Sequence, residues 1–221
     1  MASDTKQRIL DAAEQQFGDR GFAETSLRDI TKEAHVNLAA VNYHFGSKEA
    51  LLAAVLERRL QPINEHRLQV LDDLESRAGS EGPPLVEIVR AFVSPPFEKQ
   101  QEWGDTGQTF LRVLGRVHGE TNDDFREVFM SEFDLVYQRF AAALSRALPH
   151  LENADLTWRM LFMIGSMAFT MSWGQSIVRR DPSATRSPNE TINALVAFAT
   201  AGLEAQPALA IPVETRGRAA Q

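Results

Sequence analysis

Three observations on this 221-residue chain predict an all-α fold. Apolar residues recur at helical spacing almost throughout, as Ile9, Ala13 and Phe17 do. Capping residues stand just before those runs, and Gly or Pro just after them. No segment shows the apolar–polar alternation of a half-buried strand.

The first helix is predicted from Lys6 to Arg20, with Gly21 as its stop. Thr25 or Ser26 caps a second, which carries Leu27, Ile30 and Ala34 on one face. Asn37 caps a short third helix, Leu38 to Phe45, which Gly46 ends. Ser47 caps a long fourth helix that starts at Lys48 and presents Leu51, Leu52, Val55 and Leu56. Pro62 is expected to kink it, because proline has no amide donor and crowds the preceding turn. After a Gly/Pro loop over 79–84, a helix from Leu85 to Val93 is expected to end at Ser94-Pro95-Pro96. Glu102 to Val117 reads as the next helix, despite Gly104 and Gly107. Asp123 to Leu148 reads as one long amphipathic helix, capped by Thr121 or Asn122 and stopped by Pro149. Its stripe is Phe125, Phe129, Phe133, Val136, Phe140 and Leu144. Helices from Asp155 to Val178 and from Asn189 to Ala205 follow. Residues 206–221 hold two prolines and no periodicity, which suits a flexible tail.

Composition narrows the function. With 43% hydrophobic and 24% charged residues the chain is an ordinary globular one, neither disordered nor fibrous. The absence of Cys excludes disulfides, thiolate nucleophiles and Cys-ligated zinc, and fits a cytoplasmic protein. The opening residues Met1-Ala2-Ser3-Asp4 lack the pattern of a secretory signal. From Met160 to Val178 no residue is charged, a length that can span a bilayer. Gly165, Ser166, Thr170, Ser172, Gly174, Gln175 and Ser176 dilute that stretch, so a helix buried in protein is expected and no membrane partner.

Leu27 to Phe45 has the outline of a helix-turn-helix, whose second helix enters the major groove while the first crosses the phosphate backbone. Val41 and Phe45 are expected to face inward, leaving Leu38, Ala39, Asn42 and Tyr43 outward. The run Ile30-Thr-Lys-Glu-Ala34-His-Val36-Asn37, followed by Tyr43-His-Phe45-Gly-Ser-Lys48-Glu-Ala-Leu51, resembles the DNA-binding signature of the TetR family of transcriptional regulators. The resemblance covers about the first quarter of the chain and implies a DNA-binding regulator with an N-terminal three-helix unit and a C-terminal helical bundle for ligand and dimer. Two positions depart from the family pattern. His35 stands where the family usually has Gly, and a left-handed conformation there costs His more than Gly. Asn42 stands where Tyr is common, which alters what the helix reads. The run Asn37 to Phe45 also resembles, less closely, the branch that responds to fatty acids or acyl-CoA.

The candidate DNA-binding residues are Ser26, Arg28, Asn37, Leu38, Ala39, Asn42, Tyr43, His44 and Lys48. Asn42 suits the edge of an adenine. Tyr43 and His44 can reach phosphates, Lys48 adds charge at a helix start, and Ser26 and Arg28 lie where the preceding helix meets the backbone. Tyr43 also reads as a packing aromatic, His44 as a partly buried histidine, Arg28 as a solvated residue and Asn37 as a cap. The net charge of −7 excludes a chain that coats nucleic acid along its length. Residues 1–60 carry eight Lys and Arg against nine Asp and Glu, a balance of −1 that leaves −6 to the rest. Affinity must then rest on a few placed contacts, doubled in a dimer.

In the bundle, Phe92, Trp103, Phe110, Phe129, Phe133 and Tyr137, with Met163, Met167 and Met171, read either as core or as the walls of an apolar effector pocket. Arg112 and Arg116, one turn apart among apolar residues, suit an anionic head group or a salt bridge to Glu120 or Asp123. Gly165, Ser166, Ala168 and Gly174, facing Ala194, Ala197, Ala201 and Leu203, suit a dimer through the last two helices. A twofold dimer sets two reading helices about one DNA turn apart and calls for a palindromic operator.

No nucleophile elbow, phosphate loop, dinucleotide fingerprint or His-Glu-x-x-His motif is present, and the five histidines are scattered. No cofactor, no metal and no catalytic residue is expected. Residues 1–50 are expected to bind double-stranded DNA, 51–205 to bind ligand and dimerise, and 206–221 to form the tail. The expected function is a repressor released from its operator by a small apolar effector, fatty acyl compounds being the class that the branch resemblance implies. A helix-turn-helix interaction module or an enzyme is the alternative.

Overall fold

The computed structural model describes residues 2–104, 106–107, 109–111, 113, 127 and 129–206. The fold is all-α, with no strand among the described residues. In order come α1 (Ala2–Arg20), α2 (Leu27–Glu33), α3 (Leu38–Phe45), α4 (Lys48–Ala78), α5 (Leu85–Trp103), α6 (Asp134–Ala147), α7 (Asn153–Arg180) and α8 (Pro188–Glu204). The caps fall where local chemistry places them. Ser26, Asn37, Ser47 and Ser187 each accept from an amide of the first turn of their helix, and Ser26 and Ser187 form full capping boxes with Asp29 and Glu190.

Two apolar clusters hold the chain. The first gathers Ile9, Ala13 and Phe17 of α1, Ile30 of α2, Val41 of α3 and Leu51, Val55, Leu56 and Leu60 of α4, with Phe110 and Val113. The second gathers Leu71 and Leu74 of α4, Ile88 and Phe92 of α5, Phe140 and Leu144 of α6, Met160 and Met163 of α7, and Ile192 and Val196 of α8. Each large side chain so buried stabilises by about 1.5–3 kcal/mol relative to exposure. Helix α4 serves both clusters, so the first core runs on to Leu60, past residue 50.

Helix α4 runs on through Pro62 as one helix. Three expectations about elements need correction. Helix α5 does not end at Pro95-Pro96 but continues to Trp103. Proline there costs about 3 kcal/mol through the lost donor and ring clash. The loss is offset because every residue from Ala91 to Phe97 is buried, against α4, α6 and α8. The carbonyl of Phe92, which Pro96 cannot serve, accepts from Arg67 Nε at 2.9 Å instead. The helix expected from Glu102 is cut at Gly104, whose φ of +53° a glycine adopts freely. The long helix expected from Asp123 is interrupted at Glu132 and Phe133, and α6 starts afresh at Asp134. That interruption divides the aromatic stripe: Phe129 and Phe133 pack on the first cluster, while Val136, Phe140 and Leu144 join the second. Phe125, Thr121 and Asn122 lie outside the described residues, as does the tail from 207.

Helices α7 and α8 are tied together by Arg159, which donates to the carbonyls of Leu203 (2.6 Å) and Ala205 (2.5 Å), at the negative end of α8. The uncharged stretch of α7 is buried on one side only. Met160, Met163 and Met167 point into the core, while Trp158, Phe162, Phe169, Trp173 and Ile177 are exposed. No helix among the described residues is long and apolar enough to cross a membrane.

Candidate nucleic-acid interface

Helix α2 is set by its capping box. Ser26 Oγ accepts from the Asp29 amide at 3.2 Å, and the Asp29 carboxylate accepts from the Ser26 amide at 3.1 Å. These bonds, first that of the Ser26 hydroxyl and then that of its amide, hold the Asp29 carboxyl below its ordinary value, with Arg20 and Lys32 adding attraction. Thr25 is no cap. Its hydroxyl donates to the carbonyls of Gly21 and Gln16, which folds the preceding loop onto α1.

The turn between α2 and α3 closes with two reversed bonds, Val36 amide to Thr31 carbonyl at 3.0 Å and His35 amide to Lys32 carbonyl at 3.3 Å. That is a Schellman closure, and it requires a left-handed residue at position 35. His35 takes that conformation with φ of +54°. From α1, Arg8 donates to the Ala34 carbonyl at 3.2 Å and pins the turn.

Helix α3 opens on Asn37, whose Oδ1 accepts from the Ala40 amide at 2.9 Å. The Asn37 side chain therefore works as a cap. Val41 is fully buried and Phe45 half-buried, as expected, and this orients the opposite face. On that face Leu38, Ala39 and Asn42 are exposed, and Tyr43 is 85% exposed. Its ring meets only the edge of His44 at 5.2 Å, so Tyr43 is not a packing aromatic. His44 itself is half-buried. Gly46, with φ of +79°, turns the chain out of α3, and Ser47 caps α4.

Ser26 and Arg28 stand exposed in the first turn of α2, and no described residue pairs with the Arg28 guanidinium. Lys48, expected to add charge near phosphate, is held by its neighbours. Its ammonium donates to the carbonyls of Phe22 (2.8 Å) and Thr25 (2.9 Å) and lies 4.2 Å from the centre of the Phe22 ring. It clamps the start of α4 to the loop before α2, which fixes the reading unit from behind. Thr5 and Lys32 border an open groove of about 590 Å³ beside the turn together with His35, Asn37 and Ala40.

The residues expected to line an effector pocket divide between the clusters. Phe92, Met163 and Met167 are buried in the second core with Met171 against it. Trp103, Phe110, Phe129 and Phe133 belong to the first. Tyr137 lies at the surface, its hydroxyl 3.4 Å from Thr157 Oγ1. Arg112, Arg116, Glu120 and Asp123 lie outside the described residues. A groove of about 640 Å³ between α4, α5 and α8 is lined by other residues, His66, Val70, Arg90, Pro95 and Ile192 among them. Leu203, expected on the dimer face, is buried in the second core, whereas Ala197, Phe198 and Ala201 of α8 are exposed.

A capped pair of short helices that presents one exposed face of the second defines a helix-turn-helix DNA-binding protein. Residues 9–55 match the family model of bacterial regulatory proteins of the tetR family, and residues 90–202 match that of the tetracyclin repressor-like C-terminal domain. The chain belongs to the TetR family of transcriptional regulators. It is 40% identical to the uncharacterized HTH-type transcriptional regulator TtgW of Pseudomonas putida, over 68% of this chain and 93% of that protein. It is 40% identical to the HTH-type transcriptional regulator SrpR of Pseudomonas putida, over 69% of this chain and 60% of that protein. The chain spans 52% to 60% of the length of two of the curated relatives it matches. Salmonella enterica GusR shares the fold, with a TM-score of 0.61 at 19% identity over 91% of this chain and 96% of that one. These families and relatives are transcriptional regulators, not enzymes.

Proposed function

We propose that the chain is a homodimeric repressor that holds a palindromic operator and leaves it when a small apolar effector, of the fatty acyl class, binds the C-terminal bundle. The carrying observation is the outward face of α3, where Leu38, Ala39, Asn42 and Tyr43 are exposed on a helix fixed by caps at both ends and by Val41 beneath. Residues 1–50 take the DNA, residues 51–205 take effector and partner, and residues 206–221 form a tail. The exposed aromatic face of α7, continued by Ala197, Phe198 and Ala201 of α8, supports a twofold contact, because a lone chain rarely leaves so much aromatic surface to water. A regulator of this kind works in the cytoplasm, where the operator is. An effector that prefers the conformation with wrongly spaced reading helices lowers operator affinity by that preference.

The test is Tyr43→Ala against an operator selected from random DNA. The variant is expected to lose at least about fivefold in affinity, as one lost base or phosphate contact implies at about 1–3 kcal/mol, while native mass spectrometry still reports a dimer. Binding by the parent protein should weaken with salt, with a logarithmic slope of only a few units. Unchanged affinity in the variant removes α3 as the reading helix. A monomer at micromolar concentration removes the palindrome and favours an interaction module.

A further inference from the structure

Arg67 of α4 is 2% exposed and lies between α4, α5 and α7. Its Nε donates to the Phe92 carbonyl at 2.9 Å, and one terminal nitrogen donates to Asn64 Oδ1 at 3.1 Å. The other terminal nitrogen faces the thioether sulfur of Met167 at 3.7 Å. The Phe92 ring lies 4.3 Å from the guanidinium carbon. No carboxylate of a described residue reaches it. Buried charges are normally paired, because transfer out of water costs several kcal/mol per ion. A guanidinium has five N–H donors, and here two meet oxygen, leaving three once the weakly accepting sulfur gives way.

Bridging the carbonyl freed by Pro96 explains one of those donors. It does not explain a full positive charge sunk beside Met167. We propose that Arg67 is the anchor for an anionic head group, so that the effector is an amphipathic anion whose carboxylate pairs with the terminal nitrogens while its apolar body lies along Met163, Met167 and Met171. The proposal rests on the reading of the chain as an effector-responsive regulator. The three methionines recur on one side of α7, and unbranched Met yields its place at little cost, so Met167 stands where the carboxylate will sit. Arg suits the task through its planar pair of parallel donors. Burial draws its pKa down to about 9, which still leaves it charged at neutral pH.

The experiment is calorimetric titration of the full chain with decanoate, decan-1-ol and decyltrimethylammonium, each below the concentration at which it aggregates. Decanoate is expected to bind at least tenfold more tightly than the alcohol, and the ammonium not at all. Arg67→Met is expected to abolish the advantage of decanoate. Because that variant disturbs the core, Met167→Glu serves as the second. A carboxylate carried by residue 167 should fill the site, keep or raise the melting temperature and remove the preference for decanoate. Equal affinity for acid and alcohol, a preference that survives Arg67→Met, no binding of decanoate, or a lowered melting temperature in Met167→Glu overturns the assignment. Operator binding, measured separately without any probe, tells this failure from that of the regulator reading: retained specific DNA binding with no decanoate preference sinks the head-group anchor alone.

Discussion

The two cores of this chain treat buried charge in opposite ways. In the first, the Glu14 carboxylate of α1 is 3% exposed and fully answered. Arg59 grips both its oxygens, at 2.9 Å and 2.7 Å, and Arg58 adds a bond at 2.6 Å while also reaching Asp11. In the second, Arg67 is as deeply buried and meets no acid among the described residues. The first arrangement locks α1 to α4, and with them the unit that carries α3. The second leaves electrostatic free energy to be gained at the centre of the bundle.

Breaking the first arrangement gives the largest expected effect. Glu14→Gln leaves two arginines without their carboxylate and should cost about 3 kcal/mol, at the low end for a buried pair because both guanidiniums keep some contact with water. Urea unfolding measures it, and a loss below about 1 kcal/mol denies the clamp its role. Arg67→Met, by contrast, should leave neutral-pH stability within about 1 kcal/mol, since the removed charge and the orphaned Phe92 carbonyl act in opposite directions. Its pH dependence sharpens the point. Burial holds the folded-state pKa of Arg67 at about 9, well below the ordinary arginine value, so above pH 9 the unfolded chain binds more protons than the folded one. Stability of the parent protein therefore gains on that of Arg67→Met as pH rises through 9, and parallel curves there contradict a guanidinium whose pKa burial has lowered. The smallest effect belongs to His35→Gly. Relief of a left-handed residue, about 1–2 kcal/mol, is partly offset by glycine's larger chain entropy, so a gain of about 0.5 kcal/mol is expected in thermal unfolding.

What the sequence disclosed follows the range of the forces involved. Ser26, Asn37 and Ser47 were legible as caps because a cap is decided by a side chain and an amide three residues on. The left-handed turn at His35 was legible only through the family resemblance, which puts Gly at that position. The exposed face of α3 followed once Val41 was placed inward. Helix α5 reads short in the sequence because Pro95 and Pro96 are local breakers, while burial against three other helices and the Arg67 bond are not local. The bonds of Lys48 to the Phe22 and Thr25 carbonyls were not legible, because both acceptors lie more than twenty residues away in the chain. The aromatic residues expected to form a single pocket share a composition but not a place, since the chain breaks at Glu132 and Phe133 and sends them to different cores. Arg67 gave no sign at all, because a single charge in an amphipathic helix reads as solvated until its face is known.

The three tryptophans occupy two kinds of optical environment. Trp103 ends α5, half-buried, with the Arg59 guanidinium 4.8 Å from its ring and Phe110 edge-on at 6.2 Å. Trp158 and Trp173 stand in solvent on the exposed face of α7. Emission from Trp103 answers to the junction between α4 and α5, since a nearby cation shifts the indole's excited state. Emission from the other two moves to the blue when that face leaves water. A chain carrying Trp103 alone, and its complement carrying Trp158 and Trp173, turn domain coupling and subunit assembly into two separate colours of the same signal.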